Sequence, residues 1–511
     1  MDSEQVMGLA SLGPARLLAG VREYGRLDLW AQTKVYGEPE PIPFPDLVDL
    51  AERVRLCGRG GAGFPFARKL KAVSGSARRR GLSTVVVVNG TEGEPAAWKD
   101  KMLLNQVPHL VLDGALLAAW ALQAREMVIA IADDGVAEES LLDALAERRD
   151  TAGRARVVTV PHRFISGEAG ALVRGINGEA HIPPGRKVRA SDTGVDGLPT
   201  LVSNVETYAQ LAVAAATGPR EYAAVGTAEE PGTVLATVTG SALRPGVIET
   251  PVGMPLKEIL RVCGAPTGQG VLTGGYHGTW ITAEAAGRAE ISRQGFGDVG
   301  GSLGAGIILP LPDGTCPLGE VARVMHYLAT ESAGQCGPCR LGLPEMARLL
   351  SGILDGSASP EAVRGLSGAI RGRGACSHPD GSSRFVLSAL DTFTDDVSAH
   401  LYHNGCGRPV RGVLPIPDGP DDGGAGRLSV DWSSCEGHGL CAHILPELVR
   451  LDENGFPSIP DATVPSWLEA QAHRAVDMCP ALALRLGGVS GHGGDRTPRR
   501  ADRAARRGRP S

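Results

Sequence analysis

The sequence predicts a multidomain protein whose first domain is an α/β fold built on a mostly parallel sheet. Three observations lead to this prediction. Strand-like and helical patterns alternate through residues 46–225, short β-rich pieces replace them from Gly232 onwards, and residues 318–402 carry apolar positions at helical spacing. At 511 residues, and with roughly 150 residues per domain, the chain is long enough for three or four domains with cores of their own.

The elements of the first domain follow one another as helix and strand. A helix is predicted from Asp46 to Leu56, and the glycine-rich loop GRGGAGFPFARK then opens the next helix. The run STVVVVNG is continuously apolar and β-branched, which is typical of a strand buried on both faces. The remaining predicted elements are a helix over 107–122, a strand over 127–132, a helix over 136–148 and a strand over 156–160.

Three further modules follow this domain. The pieces TVLATVTG, GVIETPVG and GVLTGG surround one short helix, PLKEILRVCG, and predict a compact α+β module. A glycine-rich turn and strand over 301–311 lead into the helical segment 318–402. The Pro- and Gly-rich stretch 408–427 is predicted to be a linker to the final module, 428–487.

Charge and composition exclude several classes of protein. The formal net charge is −6, although the last 17 residues hold seven Arg against two Asp. This balance predicts a solvated basic tail on an acidic body that does not bind nucleic acid. No run of 18 apolar residues and no signal-peptide pattern are present, so no membrane span is expected and the chain is predicted to be cytoplasmic.

Ten cysteines in such a chain point to metal or redox chemistry rather than to disulfides. Six of them form two groups, Cys336, Cys339 and Cys376, and then Cys435, Cys441 and Cys479. The other four, Cys57, Cys263, Cys316 and Cys406, stand alone, and each is predicted to be a packed or free thiol.

Four polar or glycine-rich motifs lie at the ends of predicted elements, Gly58–Phe64, Asn89–Pro95, Ser166–Leu172 and Pro199–Thr207. Glycines at a helix start let backbone N–H groups approach a phosphate. Polar residues after a parallel strand lie where such sheets bind ligands. Each motif taken alone is also compatible with a turn or a helix cap.

The succession GRGGAGF, NxxEGEP, GExxAL and PTxxxNVET resembles the NADH-oxidising flavoprotein subunit of respiratory complex I and of NAD-linked formate dehydrogenases and hydrogenases. The resemblance continues through VTGSALRPGVIETPVGMPLKEIL, which is similar to the family's soluble-ligand-binding β-grasp module, and through HYLATESAGQCGPCRLG. It implies an FMN-binding α/β domain over 46–225, a β-grasp module over 230–280 and a helical-bundle iron–sulfur domain over 281–407. Residues 1–45 are then an N-terminal extension and 488–511 a disordered tail.

The resemblance also implies a set of cofactor-binding residues. FMN and NAD(H) or NADP(H) are the expected ligands, since a flavin accepts a hydride and releases electrons singly to an iron–sulfur centre. The matching positions are Gly58, Arg59, Gly60, Gly61, Phe64, Lys69, Asn89, Glu92, Glu94, Gly167, Glu168, Asn204 and Thr207. Where the family has Lys-Pro-Pro-Phe around the dinucleotide, this chain has Ile182, Pro183, Pro184 and Gly185, with Arg186 and Lys187 next.

The first cysteine group lacks one of the family's ligands. The family uses C-x2-C-x2-C with a distant fourth cysteine for a 4Fe–4S cluster, and the first position is Ala333 here. Cys336, Cys339 and Cys376 are therefore expected to hold a 3Fe–4S cluster or a cubane with a non-cysteine ligand, for which His378 and Asp380 are candidates. A degenerate site without metal is the alternative.

The final module contains Cys435-x2-His438-x2-Cys441, with Cys479-Pro480 further on. A bacterial ferredoxin run has cysteine at the central position. With His438 there, the module resembles the single-cluster ferredoxins of actinobacterial type, an α+β fold that commonly feeds haem monooxygenases. A 3Fe–4S cluster is favoured, ahead of a 4Fe–4S cluster ligated by His438 and of a zinc site.

Three functions remain open at this stage. The first is an NAD(P)H-dependent oxidoreductase that passes electrons from NAD(P)H to FMN, to iron–sulfur clusters and out through the fused ferredoxin. The second is an electron carrier or docking subunit that no longer oxidises NADH and is reduced by a partner. The third is a structural subunit with an empty flavin site. The expected redox partner is a haem monooxygenase, a membrane reductase or a subunit of an oxidoreductase complex.

Overall fold

The computed structural model describes residues 7–151, 153–185, 188–417, 427–446, 448–459, 464 and 469–487. The chain divides into two compact units, Met1–Ile416 and Pro417–Ser511. The predicted basic tail, residues 418–426 of the predicted linker, Arg186 and Lys187 lie outside the described residues.

The first unit contains two sheets and the helices that cover them. Its strands are β1 (Gly8–Ser11), β2 (Thr84–Gly90), β3 (Ala124–Ala132), β4 (Ala155–Val160), β5 (Thr200–Asn204), β6 (Thr233–Val238), β7 (Gly246–Pro251), β8 (Gly270–Thr273), β9 (Thr279–Thr282) and β10 (Ile307–Leu311). Its α-helices are α1 (Val21–Tyr24), α2 (Leu29–Tyr36), α3 (Phe44–Arg53), α4 (Phe66–Arg80), α5 (Lys99–Gln106), α6 (Pro108–Leu122), α7 (Glu138–Ala146), α8 (Ala169–Ile176), α9 (Val205–Tyr222), α10 (Leu256–Val262), α11 (Ala283–Arg288), α12 (Arg293–Asp298), α13 (Pro317–Thr330), α14 (Leu343–Leu354), α15 (Pro360–Ile370), α16 (His378–Thr392) and α17 (Thr394–Tyr402).

The first sheet is fully parallel, in the strand order β4-β3-β2-β5. Its central strand β2 is buried on both faces: Val86 and Val88 enter one hydrophobic core, and Val85 and Val87 enter another. This arrangement confirms the predicted α/β domain with a parallel sheet. The edge strand β5 was not among the predicted strands, because its five residues run directly into α9.

The second sheet is mixed, in the order β1-β7-β6-β10-β8-β9. The strands β6 to β9 and the short helix α10 come from the predicted β-rich module. The sheet also takes β1, which pairs in parallel with β7, from the segment expected to be an extension, and β10 from beyond residue 280. The sheet therefore extends past the predicted limits 230–280 at both ends.

The helices α13 to α17 form the last part of the first unit. Their apolar faces share one core that contains Val321, Met325, Leu350 and Phe385. Trp280 of β9 packs against the Phe385 and Phe393 rings, so this core is continuous with the second sheet. A π-helical turn, Pro338–Gly342, comes immediately before α14.

The second unit is a small α+β fold. It contains β11 (Arg427–Val430), β12 (Arg450–Leu451), β13 (Pro457–Ser458) and β14 (Leu484–Gly487), with α18 (Leu440–Ile444) and α19 (Glu469–Asp477). The antiparallel pair β11 and β14 joins the two ends of the module, and Leu428, Leu445 and Leu484 lie in its core.

Membrane-spanning potential was considered over the part of the chain that the structure describes. No single helix there has both the length and the apolar character needed to cross a bilayer. The helices α5 and α6 meet that composition only as a pair, and they are bent by 97° with respect to each other.

Candidate functional site

A cavity of about 280 Å³ opens at the carboxyl ends of β2 and β5 in the first unit. This is the edge at which open parallel sheets bind ligands. Seven of the residues predicted from the sequence line it: Gly60, Asn89, Glu92, Glu94, Gly167, Glu168 and Asn204. The loop after β2, the turn before α8 and the start of α9 therefore meet at one place, as their positions in the sequence suggested.

The amides of Asn89 and Asn204 fix the walls of this cavity. Asn89 Nδ2 donates to the carbonyl of Gly167 at 2.9 Å, and its Oδ1 accepts from Thr91 Oγ1 at 2.8 Å. Asn204 caps α9, since its Oδ1 accepts the backbone N–H of Glu206 at 3.1 Å. Glu168 caps α8 in the same way, through the N–H of Ala171 at 2.8 Å.

Gly93 is one position at which only glycine fits. A Cβ on Gly93 would lie 2.0 Å from the carbonyl oxygen of Arg163. The loop after β2 therefore packs directly against the backbone that leads to Gly167. This close approach explains the glycine between two acidic residues in the EGE sequence.

The remaining six predicted residues lie outside the cavity lining, and three of them support the glycine loop. The Arg59 N–H donates to Thr207 Oγ1 at 2.9 Å, and the buried Arg59 guanidinium donates to the carbonyl of Thr233 at 3.3 Å. Lys69 Nζ donates to the carbonyl of Val202 at 3.0 Å. The other three are the loop residues Gly58, Gly61 and Phe64, the last of which is 46% exposed.

A buried charge cluster lies in the cavity wall that sequence reasoning did not identify. Lys99 Nζ is 2.8 Å from Asp100 Oδ1, 3.0 Å from Asn204 Oδ1 and 3.1 Å from Glu206 Oε2. Burial alone would lower the pKa of Lys99, but the carboxylates of Asp100 and Glu206 raise it above its ordinary value. Lys99 is therefore a fixed cation at the start of α5, and the only sequence signal for it was the KDK run after the EGEP motif.

The two glutamates of the EGEP motif are buried and favour their protonated forms. Burial raises the pKa of Glu94 to about 8, against the opposing effect of the Tyr276 N–H, which donates to Oε1 at 2.6 Å. Burial and the neighbouring Asp100 charge raise the pKa of Glu92 to about 7, although Glu92 accepts the N–H groups of Asp100 and Lys101 at the start of α5. The cavity therefore holds two carboxyl groups that titrate near neutral pH.

The first predicted cysteine group lies beside this cavity. Cys376 lines the cavity wall together with Ser377 and His378, while Cys336 and Cys339 flank the π-helical turn. Burial would raise the pKa of Cys336, but the N–H groups of Ala375 and Cys339 point to its sulfur and lower it. Burial raises the pKa of Cys339 to about 12, and the nearby charges of Cys336 and Cys376 add to this shift. The three sulfurs therefore share one neighbourhood.

The two candidates for a fourth ligand are engaged elsewhere. His378 Nε2 donates to the carbonyl of Leu328 at 2.7 Å, and its Nδ1 is 3.0 Å from Nε2 of His277. Asp380 Oδ1 accepts the N–H of Gly372 at 2.7 Å. In this conformation the group consists of three thiols, in line with the missing cysteine at Ala333.

The second unit brings its three cysteines together in the same manner. Cys441 and Cys479 both pack against the core of the unit. Burial raises the pKa of Cys441, and the charges of Cys435 and Cys479 contribute to the shift, so the three sulfurs lie near one another. His438 lies between two glycines of positive φ, with its Nε2 3.7 Å from Glu436 Oε2.

Comparisons with known proteins agree with these three sites. Residues 51–213 match the Nuo51 FMN-binding domain, residues 319–400 match the iron–sulfur binding region of NADH-ubiquinone oxidoreductase-F, and residues 428–486 match a 4Fe–4S single cluster domain.

Similar proteins cover most of the chain. The F-type subunit of the NADH-quinone oxidoreductase of Mycobacterium tuberculosis is 27% identical over 418 residues, which is 78% of this chain and 94% of that protein. The HndC subunit of the NADP-reducing hydrogenase of Solidesulfovibrio fructosivorans is 26% identical over 422 residues, covering 78% and 83%. A crystal structure of NAD⁺-reducing [NiFe]-hydrogenase in the H₂-reduced state shares the fold, with a TM-score of 0.68, 24% identity and coverage of 77% and 68%.

Proposed function

We infer from its three matched parts that the chain is a flavin- and iron–sulfur-dependent electron-transfer protein, a Nuo51-type flavoprotein fused to a single-cluster ferredoxin domain. We propose more specifically that its electron donor is NADH or NADPH. The relatives support this step, since they are subunits of an NADH-quinone oxidoreductase and of an NADP-reducing hydrogenase. The carrier function without NADH oxidation is correspondingly less favoured.

The chemistry of the cavity walls fits FMN. The ammonium of Lys99 and the amides of Asn89 and Asn204 offer donors of the kind that the carbonyl and phosphate oxygens of a flavin nucleotide require. When bound, FMN supplies the step that this chain's side chains cannot, acceptance of a hydride and release of electrons singly. We propose that Gly60, Asn89, Glu92, Glu94, Gly167, Glu168 and Asn204 hold it, with Gly58, Arg59, Gly61, Phe64, Lys69 and Thr207 shaping the loop around it.

One observation supports the electron path above all others. Cys376, the cysteine most distant in sequence from its group, lines the same cavity as Asn89, Glu92 and Asn204. A ligand of the proposed cluster therefore forms part of the wall of the proposed flavin site. This contiguity gives electrons a short way from one centre to the other.

The nicotinamide nucleotide has a candidate place of its own. A second cavity, of about 690 Å³, is lined by Glu168, Arg174, Pro184, Gly185 and Gln335 among others, and it shares Glu168 with the first cavity. We propose that the dinucleotide lies here and reaches the first cavity past Glu168. The absence of a phenylalanine at Gly185 leaves the cavity wide, which favours weaker binding of the nucleotide than in a site closed by an aromatic ring.

The clusters and modules follow from the same proposal. Cys336, Cys339 and Cys376 hold one cluster, and Cys435, Cys441 and Cys479 hold the other, with His438 as its fourth ligand if it is a cubane. The strands β6 to β9 with α10 are the β-grasp module, and α13 to α17 are the helical iron–sulfur domain. The partner is another subunit of a cytoplasmic oxidoreductase complex, with a haem monooxygenase or a membrane reductase as the other candidates.

The proposal is tested on protein purified without oxygen. Flavin and iron are quantified, and NADH or NADPH is then added while flavin absorbance is followed. Bleaching by either nucleotide supports the enzyme function. Bound flavin that responds to dithionite but to neither nucleotide would refute the proposed donor, and protein reconstituted with FMN that retains none would refute the site.

A further inference from the structure

Two cysteines that stand alone in the sequence meet a histidine in the fold. Cys316, His400 and Cys406 offer one sulfur or nitrogen atom each, and these three atoms all lie within 4.8 Å of one another. None of them belongs to either of the cysteine groups described above. Cys316 is buried, while His400 and Cys406 are partly exposed, so solvent reaches one side of the group.

The separations suit a single metal ion of zinc size. With Zn–S of about 2.3 Å and Zn–N of about 2.0–2.1 Å, tetrahedral geometry places a sulfur and a nitrogen ligand roughly 3.6 Å apart. Cys316 Sγ lies 3.3 Å from His400 Nε2. The group is therefore close to a single-ion ligand set before any side chain moves.

The surrounding hydrogen bonds orient the ligand atoms. His400 Nδ1 is 3.0 Å from the carbonyl of Leu354, and because a carbonyl only accepts, Nδ1 carries the hydrogen. The lone pair of the imidazole is then on Nε2, which faces the sulfur. The N–H of Gly319 donates to Cys316 Sγ at 3.3 Å, as expected for a residue that caps α13. Outer hydrogen bonds of this kind fix the tautomer and position of metal ligands.

We propose that Cys316, His400 and Cys406 bind one Zn²⁺ ion, with a water molecule in the fourth position. Mixed thiolate and imidazole ligation favours Zn²⁺ over the oxygen-seeking Mg²⁺ and Ca²⁺. Among the described residues no fourth Cys, His, Asp or Glu belongs to the group. Binding displaces the protons of the two thiols to solvent and changes no oxidation state.

The ion would fasten the segment after α17 to the start of α13. That segment already returns to α13, since the Cys316 N–H donates to the carbonyl of Pro409 at 2.9 Å. The N–H groups of Arg411 and Gly412 also donate to the buried Glu320 carboxylate, at 2.9 and 2.7 Å. Cys406 and Cys316 are 90 residues apart in the chain, so an ion between them acts as a cross-link that closes a long loop.

The test measures zinc in the full chain, purified without oxygen from zinc-supplemented medium and dialysed against metal-free buffer. Wild type is expected to retain about one Zn²⁺ per chain, with X-ray absorption at the zinc edge showing two sulfur ligands at about 2.3 Å and a nitrogen ligand at about 2.0–2.1 Å. Cys406→Ser and His400→Gln should each weaken zinc affinity at least tenfold in competition with a chelator, with iron content unchanged. Cys263→Ala, which removes a lone thiol elsewhere in the first unit, is the matched control and should retain the ion.

Three results would overturn the proposal. The first is dialysed wild type that holds less than about a tenth of an ion per chain. The second is zinc affinity as high in Cys406→Ser and His400→Gln as in wild type, and the third is an absorption edge without sulfur ligands. Should Cys406→Ser not fold, His400→Gln together with the absorption spectrum of wild type decides the question.

Discussion

Replacement of Lys99 by methionine tests whether the buried charge cluster holds the candidate flavin site together. The Lys99 ammonium contacts Asp100 at 2.8 Å and Glu206 at 3.1 Å, and the side chain is 2% exposed. Methionine keeps much of the length of the lysine stem but removes its charge. Two carboxylates then share a buried space without their cation.

The expected loss is large because both contacts are shielded from water. At an effective dielectric constant of about 20, a contact near 3 Å corresponds to roughly 5 kcal/mol of Coulomb energy before desolvation is subtracted. Removal of one partner of a buried pair typically costs about 3–5 kcal/mol, because the other charge is left uncompensated. We therefore expect Lys99→Met to lower the free energy of unfolding of the first unit by about 3–5 kcal/mol.

Urea unfolding followed by tryptophan and flavin fluorescence measures this loss. Lys257→Met, at an exposed lysine on α10, is the control and should change the free energy by no more than about 0.5 kcal/mol. The double variant Lys99→Met/Glu206→Gln removes one stranded charge and should recover part of the loss. A loss below about 1 kcal/mol, or a double variant no more stable than the single one, would refute the reasoning.

Three further predictions concern the same cavity. Because the pKa of Glu94 is raised to about 8 from 4.5, the unfolded chain ionises first as pH rises, and this residue lowers stability by about 1.4 kcal/mol per pH unit between those values; Glu94→Gln should flatten that part of the pH profile of the urea midpoint, and an unchanged slope would contradict the assignment. Gly93→Ala places a methyl group 2.0 Å from the Arg163 carbonyl and should cost about 1–3 kcal/mol along with bound flavin, whereas Gly287→Ala, with open space around it, should be tolerated, and equal stability of the two variants would be inconsistent with the packing. Cys376→Ala should remove the first cluster's electron paramagnetic resonance signal and leave that of the ferredoxin domain, and loss of both signals would show that the clusters do not assemble independently.

Local sequence patterns were sufficient for the first sheet and insufficient for the second. The β-branched run of β2 identifies itself, since no other element tolerates four consecutive valines so well. The strand β1 has the sequence GLAS, which carries no strand pattern, and its pairing with β7 joins residues more than 200 positions apart. Contacts of that range depend on the assembled fold and leave no local signature.

The candidate site shows the same division. Asn89, Glu92 and Asn204 were identified because each follows a strand in a motif whose order resembles a known family. Lys99 was not identified, because a charged run at a helix start usually faces solvent, and only the packing of α5 against α9 buries it. His400 and Cys316 lie 84 residues apart, so their meeting emerges from the helical packing alone.

The most direct test of the central claim follows electrons from nucleotide to ferredoxin domain. Anaerobic protein is mixed with NADH, and separately with NADPH, then frozen at successive times for electron paramagnetic resonance while flavin absorbance is recorded in parallel. We expect flavin reduction followed by reduction of the cluster held by Cys435, Cys441 and Cys479, and in Cys376→Ala we expect flavin reduction without reduction of that cluster. Reduction of the ferredoxin cluster at the wild-type rate in Cys376→Ala, or no flavin reduction by either nucleotide in wild type, would contradict the account.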